Sequence, residues 1–259
     1  APVLAAAPAL LTQGRWKTLV EWLERLPARM RDAHPGMAYW LGIALLPFDP
    51  SRARAALSFA YHEFKKTGAV EARWRAWCGV VDSFVFDWKD FHPLDEWIGE
   101  IENEPGRYGG SVPVALDAQV ASGMFMALMN RCPQHPDMER WAQRAWDLAI
   151  GGADPALRIK TGPHLLLYYT WWIGDLHKAE LLLNALRPYA EHTSAPPLVQ
   201  TTWCAMAGAY YWMNADNPAC IAIVERGLGL ADTTGVHVWD TLLCGHGAFA
   251  TLTSGQIEP

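Results

Sequence analysis

A three-residue skeleton recurs along this chain and limits what it can fold into. Ala179, Leu183 and Leu186 stand at i, i+4 and i+7, a spacing that places all three on one face of a helix. The same spacing joins Leu19, Leu23 and Leu26; Ala53, Leu57 and Ala60; Leu94, Ile98 and Ile101; Ala142, Trp146 and Ala149; and Cys220, Val224 and Gly227. Their first positions step by 34, 41, 48, 37 and 41 residues, giving irregular units of roughly 40 residues along 259. A helical hairpin of that size cannot bury its apolar stripe alone and must stack on the next. The expectation is an all-α solenoid of about six to seven antiparallel helical hairpins, with residues 1–259 forming a single domain.

Punctuation between the skeletons supports this reading. Turn signals fall at Gln13-Gly14, His34-Pro35-Gly36, Phe48 to Ser51, Asn103 to Gly106, Pro133 to Asp137, Gly151 to Pro155, Ile173 to Asp175, Ala195 to Pro197, Asn214 to Pro218 and Thr233 to Gly235. Asp49 or Ser51 is placed to cap the helix beginning near Pro50, and Asn217 before Pro218 repeats the device. Hydrophobic residues make up 51% and charged residues 19%, with 14 Trp, so most helices must be buried on more than one face.

Charge and cysteine usage exclude several classes. A formal charge of -6 argues against a large nucleic-acid footprint, so direct nucleic-acid binding is not expected. The local basic group Arg52, Arg54, Lys65, Lys66, Arg73 and Arg75 is interleaved with Glu63 and Glu71 and reads as solvated helix faces. Five cysteines, Cys78, Cys132, Cys204, Cys220 and Cys244, are odd in number, widely spaced and set among apolar residues. That pattern fits reduced, buried thiols in a cytoplasmic protein. The uncharged run Thr193 to Ala215 contains Pro196, Pro197 and Asn214 and keeps the period of the array, so no membrane span is expected. Ala1 to Leu11 is apolar without a preceding cation and reads as a helix cut from something longer, which leaves room for a homo-oligomer.

Two stretches carry a family resemblance. Pro163 to Pro188, with an aromatic first helix, Gly174 before the turn and Ala179 early in the second helix, resembles a tetratricopeptide repeat, which implies a right-handed stack. Leu10-Leu-Thr-Gln-Gly14-Arg-Trp-Lys-Thr-Leu-Val-Glu-Trp-Leu-Glu-Arg-Leu-Pro27, followed by Pro35-Gly-Met-Ala-Tyr-Trp-Leu-Gly-Ile-Ala-Leu, resembles the superhelical sensor region of MalT-type, LuxR-family ATP-dependent transcriptional regulators. The likeness is closest over residues 8 to 67. It implies a sensor or interaction domain of a bacterial transcriptional regulator, in which the repeats bind a protein partner or a small-molecule inducer. The nucleotide-binding and DNA-reading modules of such regulators have no counterpart here: there is no phosphate loop, and Leu252 to Pro259 does not continue into a basic recognition helix. A pure protein-protein scaffold is the alternative, and an α-helical enzyme a further one.

Candidate chemistry is sparse. Cys132 and His135 offer two soft ligands without a second pair, so no metal is expected. His237, Asp240 and Cys244 share a helical face, but His246 points elsewhere and no oxyanion-forming loop follows. Asp82, Asp87, Asp90, Asp95 and Glu96 surround Trp88 and Trp97, and solvated turn acids account for them better than a paired-acid hydrolase. No catalytic residue and no cofactor is therefore assigned. The strongest surface candidate is aromatic. Aligning Gly174 with the repeat's turn glycine puts Thr161, His164, Tyr168 and Trp171 along a concave groove, with Trp212 at the equivalent late position of the next unit. His164, Tyr168, Trp171 and Trp212 are the expected ligand-binding residues, since rings with polar tips suit a sugar, a planar ligand or a peptide side chain. The opposite assignment makes Tyr168 and Trp171 core and turns Tyr169 and Trp172 outward.

Overall fold

The computed structural model describes residues 2–27, 29–30, 33–104, 112–192 and 195–255. They contain thirteen α-helices and no strand. Residues 105–106 of one expected turn and 256–259 of the C-terminal stretch lie outside the described residues.

The chain forms two compact units, Ala1–Cys132 and Pro133–Pro259. The first holds α1 (Pro2–Thr12), α2 (Trp16–Glu24), α3 (Pro35–Leu45), α4 (Pro50–Thr67), α5 (Val70–Asp87), α6 (Leu94–Glu102), a 3-10 turn (Val114–Leu116) and α7 (Asp117–Arg131). The second holds α8 (Met138–Gly151), α9 (Pro155–Leu167), a π-helical segment (Tyr168–Ile173), α10 (Leu176–Ala190), α11 (Pro197–Met213), α12 (Asn217–Thr234) and α13 (Asp240–Thr253).

Carboxylates start four of these helices. Asp49, Asp154, Asp175 and Asp216 accept the amide hydrogens of Arg52, Ala156, Lys178 and Ala219 at 3.0, 2.9, 3.0 and 3.2 Å. The cap at α12 is thus Asp216, one residue ahead of the expected Asn217, while Ser51 donates to Asp87 instead of capping α4.

All six skeletons fall on even-numbered helices, one to each of α2, α4, α6, α8, α10 and α12. Every skeleton residue is buried except Leu26, which lies past the end of α2, and Trp146. The odd helices differ in kind. Ala76 to Val85 in α5, Val120 to Met129 in α7, Thr161 through Thr170 in α9 and its π-helical continuation, and Thr201 to Tyr210 in α11 are buried without interruption. A helix apolar on all sides must be enclosed on all sides. Polar members of these runs satisfy themselves locally: Thr170, Thr202 and Ser83 donate to the carbonyls of Leu166, Leu198 and Val80 at 2.8, 2.7 and 2.6 Å. Each odd helix also packs on the next odd helix of its unit, α1 on α3, α3 on α5 and α5 on α7, then α9 on α11 and α11 on α13.

Tryptophan serves mainly the interior. Trp74, Trp77, Trp141, Trp203 and Trp239 are among the largest fully buried side chains. Three of their indole N–H groups find acceptors: Trp77 donates to the Trp97 carbonyl at 2.8 Å, Trp203 to Glu191 at 3.2 Å and Trp239 to the Thr202 hydroxyl at 2.8 Å.

The basic group of the first unit is consumed in ion pairs. Arg52 meets Glu24, Arg54 meets Asp87, Lys65 meets Glu100, Lys66 meets Glu63, Arg73 meets Glu104 and Arg75 meets Glu71. Arg54 and Arg73 are not solvated, contrary to expectation: their guanidinium groups lie over the Phe84 and Trp74 rings at 3.7 and 4.3 Å, shielded on one side by an aromatic face.

The tightest packing is between skeleton leucines and glycines of the odd helices. A Cβ on Gly42 of α3 would lie 2.5 Å from Leu57 and 3.1 Å from the Ala53 carbonyl; one on Gly162 of α9 would lie 2.4 Å from Leu186. Gly229 in α12 meets nothing within 4 Å. Gly42→Ala is therefore expected to destabilise the protein by about 1–3 kcal/mol through overpacking. Gly229→Ala should be neutral or stabilising by up to about 1 kcal/mol. Urea melts of the two variants beside the parent read the difference.

Candidate functional site: an aromatic cleft in the second unit

The cleft begins where α9 changes its winding. Pro163 inside the helix has no N–H to give, so one rung of the regular ladder is missing ahead of the segment, and the Thr170 hydroxyl donates to the Leu166 carbonyl at 2.8 Å. The chain continues as a π-helix over Tyr168–Ile173, closed by the Asp175 amide donating to the Tyr169 carbonyl at 2.9 Å and by Gly174 at φ +73°. Such segments are rare and concentrate at functional positions. Its wider turn advances less per residue than an α-helix. Thr161 through Thr170 are buried on every side, and exposure begins where the helix ends: Trp171, Trp172 and Ile173 are 37%, 48% and 54% exposed.

A second aromatic comes from the end of α11. Trp212 stands 6.5 Å from Trp171, ring centre to ring centre, at an interplanar angle of 77°. From α13, His246 and Phe249 stack on Trp212 at 5.9 and 5.2 Å with angles of 28° and 22°. His246 also meets Trp171 edge-on at 5.8 Å. Between these elements lies a cavity of about 320 Å³ lined by Trp171, Trp172, Trp212 and Met213. The turn after α11 repeats the one after the π-segment: Ala215, at φ +58°, stands where Gly174 stood, and Asp216 where Asp175 stood. Alanine holds that left-handed conformation at a cost of about 1 kcal/mol.

Of the four expected ligand-binding residues, the fold brings Trp171 and Trp212 together at the cleft. His164 and Tyr168 are buried, at 2% and 6% exposure, and line no open surface. Tyr168 packs on Tyr169 at 5.3 Å, and His164 faces Trp239 at 6.2 Å. Trp172, Met213, Phe249 and His246 were not expected there. The doubled aromatics at 168–169 and 171–172 were the available signal: both pairs were legible, but not the end of the buried run that falls between them.

Most of the remaining candidates are held in pairs of their own. Asp87 is pushed up by burial, but hydrogen bonds from Lys89 and Arg54 outweigh this and hold it below its ordinary value. Arg131 donates to Asp95 at 2.6 Å, and Asp90 is paired with His92. His237 pairs with Asp240 at 2.8 Å, whereas Cys244 is exposed and His246 buried. The His135 Nδ1 accepts the Asp137 amide at 3.2 Å. Among the described residues no three His, Cys, Asp or Glu side chains stand together as metal ligands, and no helix is long and apolar enough to cross a membrane. Compared with protein-family models, curated proteins and solved structures, the chain matches none.

Two buried imidazoles couple this unit to pH. Burial pushes His164 down to about 3 and His246 to about 4, and neither His164 Nδ1 nor His246 Nε2 has a hydrogen-bond partner. Both rings are neutral in the fold and titrate near 6.5 when unfolded. Above that value they impose no proton-linked penalty. As pH falls below it, the unfolded chain binds protons that the fold refuses, and stability declines toward the folded values. His246→Phe should therefore lose less unfolding free energy than the parent between about pH 6.5 and 4. Urea midpoints across that interval measure this.

Proposed function

We propose that this chain is a helical-repeat binding domain whose contact surface is the cleft of Trp171, Trp172, Trp212 and Met213. The observation that carries the proposal is the cleft itself: two exposed indoles and a third beside them line one concave apolar surface open to solvent. In this proposal the hairpins follow a right-handed, tetratricopeptide-like stack. The alternation of skeleton-bearing and fully enclosed helices supports it, as does the packing of each odd helix on the next within a unit.

The likeness of residues 8 to 67 to the sensor region of MalT-type regulators extends the proposal. The domain is then the part of a bacterial transcriptional regulator that binds a small inducer or a protein partner, and performs neither nucleotide hydrolysis nor DNA reading. A phosphate loop encoded upstream of this segment and a helix-turn-helix downstream are expected in the full reading frame; a frame carrying neither would sink the regulator assignment.

Binding is tested directly. A thermal-shift panel of amines, sugars, nucleotides and amino acids should contain a compound that raises the melting temperature by mass action. Trp171→Ala and Trp212→Ala should each abolish that shift. Stabilisation that survives both substitutions would move the binding surface elsewhere.

A further inference from the structure

The chemistry of the cleft narrows its ligand, on the premise that the cleft is the binding surface. Its walls are three indoles and a thioether, with no carboxylate, amide or hydroxyl side chain among them. A sugar would find no side-chain acceptor there for its hydroxyl hydrogens. A flat aromatic ligand is held best between parallel plates, but Trp171 and Trp212 meet at 77° and form a corner. A compact cation sheathed in methyl groups has the opposite needs: it touches several ring faces at once, buries apolar surface and requires no hydrogen bond.

The surrounding charge agrees. Elsewhere the chain covers ring faces with its own cations, as with Arg54 over Phe84, Arg158 over Tyr189 and Lys178 over Tyr169. Among the described residues no lysine or arginine stands over Trp171, Trp172 or Trp212. Residues 133–259 contain twelve Asp and Glu against seven Lys and Arg, so -5 of the chain's formal charge of -6 belongs to this unit. Asp175 and Asp216 sit in the turns that follow the two cleft-bearing segments, so a carboxylate follows each segment within three residues. His246, packed against Trp212 and Trp171, adds no opposing charge, because burial keeps it neutral at neutral pH.

We propose that the Trp171–Trp172–Trp212–Met213 cleft binds a quaternary ammonium group, carried either by a free small molecule or by a trimethylated lysine side chain. The two sources share one head group and differ in what is attached to it.

Isothermal titration of the full chain separates the possibilities. The probes are choline, its uncharged carbon isostere 3,3-dimethylbutan-1-ol, and one lysine-containing peptide with and without trimethylation. Saturable 1:1 binding is expected for choline or for the trimethylated peptide. The isostere or the unmethylated peptide should bind at least tenfold more weakly, and Trp172→Ala should weaken the favoured probe at least tenfold. Trp172 is half-exposed, so its removal leaves the core intact, and a circular-dichroism melt of the variant checks that. Choline binding assigns a free ligand, and binding of the modified peptide alone assigns a side chain. Equal or tighter binding of the isostere overturns the cation proposal while leaving the apolar cleft standing. Absence of binding by choline and by the trimethylated peptide also overturns it. The cleft reading itself falls only if the wider thermal-shift panel gives no response sensitive to Trp171 and Trp212.

Discussion

The insertion of even-helix leucines into glycines of the odd helices sets the spacing on which the rest of the structure depends. Leu57 fills the space that side chains would occupy at Gly42 of α3 and Gly79 of α5, and Leu186 does the same at Gly162 of α9. Trp77 plays the part within the odd layer, lying against Gly123 of α7. Gly227 inverts it: the glycine is on the even helix, and Cys204 and Leu243 supply the bulk. Close approach of this kind leaves α5, α7, α9 and α11 no free side along their buried runs. Each is bounded by its hairpin partners and by the next odd helix of its unit. A buried apolar side chain contributes about 1.5–3 kcal/mol, so uninterrupted buried runs on α5, α7, α9 and α11 make this layer the main store of stability.

That closure decides where a ligand can be met. A groove along the middle of α9 would need His164 and Tyr168 open to water, and both are enclosed. The interior of α9 and α11 is enclosed, so these helices offer aromatic surface only near their ends. Trp171 and Trp172 reach solvent because the buried run stops at Thr170 within the π-helical segment, and α11 delivers Trp212 beside them because its buried run stops at Tyr210.

How far the sequence discloses this follows from which interactions are local. Skeleton spacing and turn chemistry act within a few residues, and Leu57, Leu183 and their equivalents are buried where the period places them. Asp49 and Asp175 cap the helices that their turn signals announce. Trp146 departs from the pattern since its neighbour Ala145 takes the innermost position of α8. The cleft was half legible. Trp171 and Trp212 follow from aligning one turn with the next, but the point at which the buried run stops, after Thr170, depends on which neighbouring helices enclose α9 and has no periodic signature. Stacking of His246 and Phe249 on Trp212 joins residues more than thirty positions apart and has no sequence signal at all.

Cations lie over aromatic faces in both units, but the balance of charge differs between them. In residues 1–132 the acidic and basic side chains nearly balance, fifteen against fourteen, and cations bind both carboxylates and rings: Arg54 joins Asp87 while lying over Phe84, and Arg73 joins Glu104 while lying over Trp74. Such pairs tie one helix to another and leave little potential at the surface. In residues 133–259 carboxylates outnumber cations, and among the described residues no lysine or arginine lies over the cleft indoles. An indole face carries a negative quadrupole, which excess carboxylates nearby reinforce. Anionic ligands are disfavoured at such a surface, and a cation that needs no hydrogen bond meets least competition from water there. The fold does not require the charge excess, since the first unit builds the same enclosed helices with its charges nearly balanced.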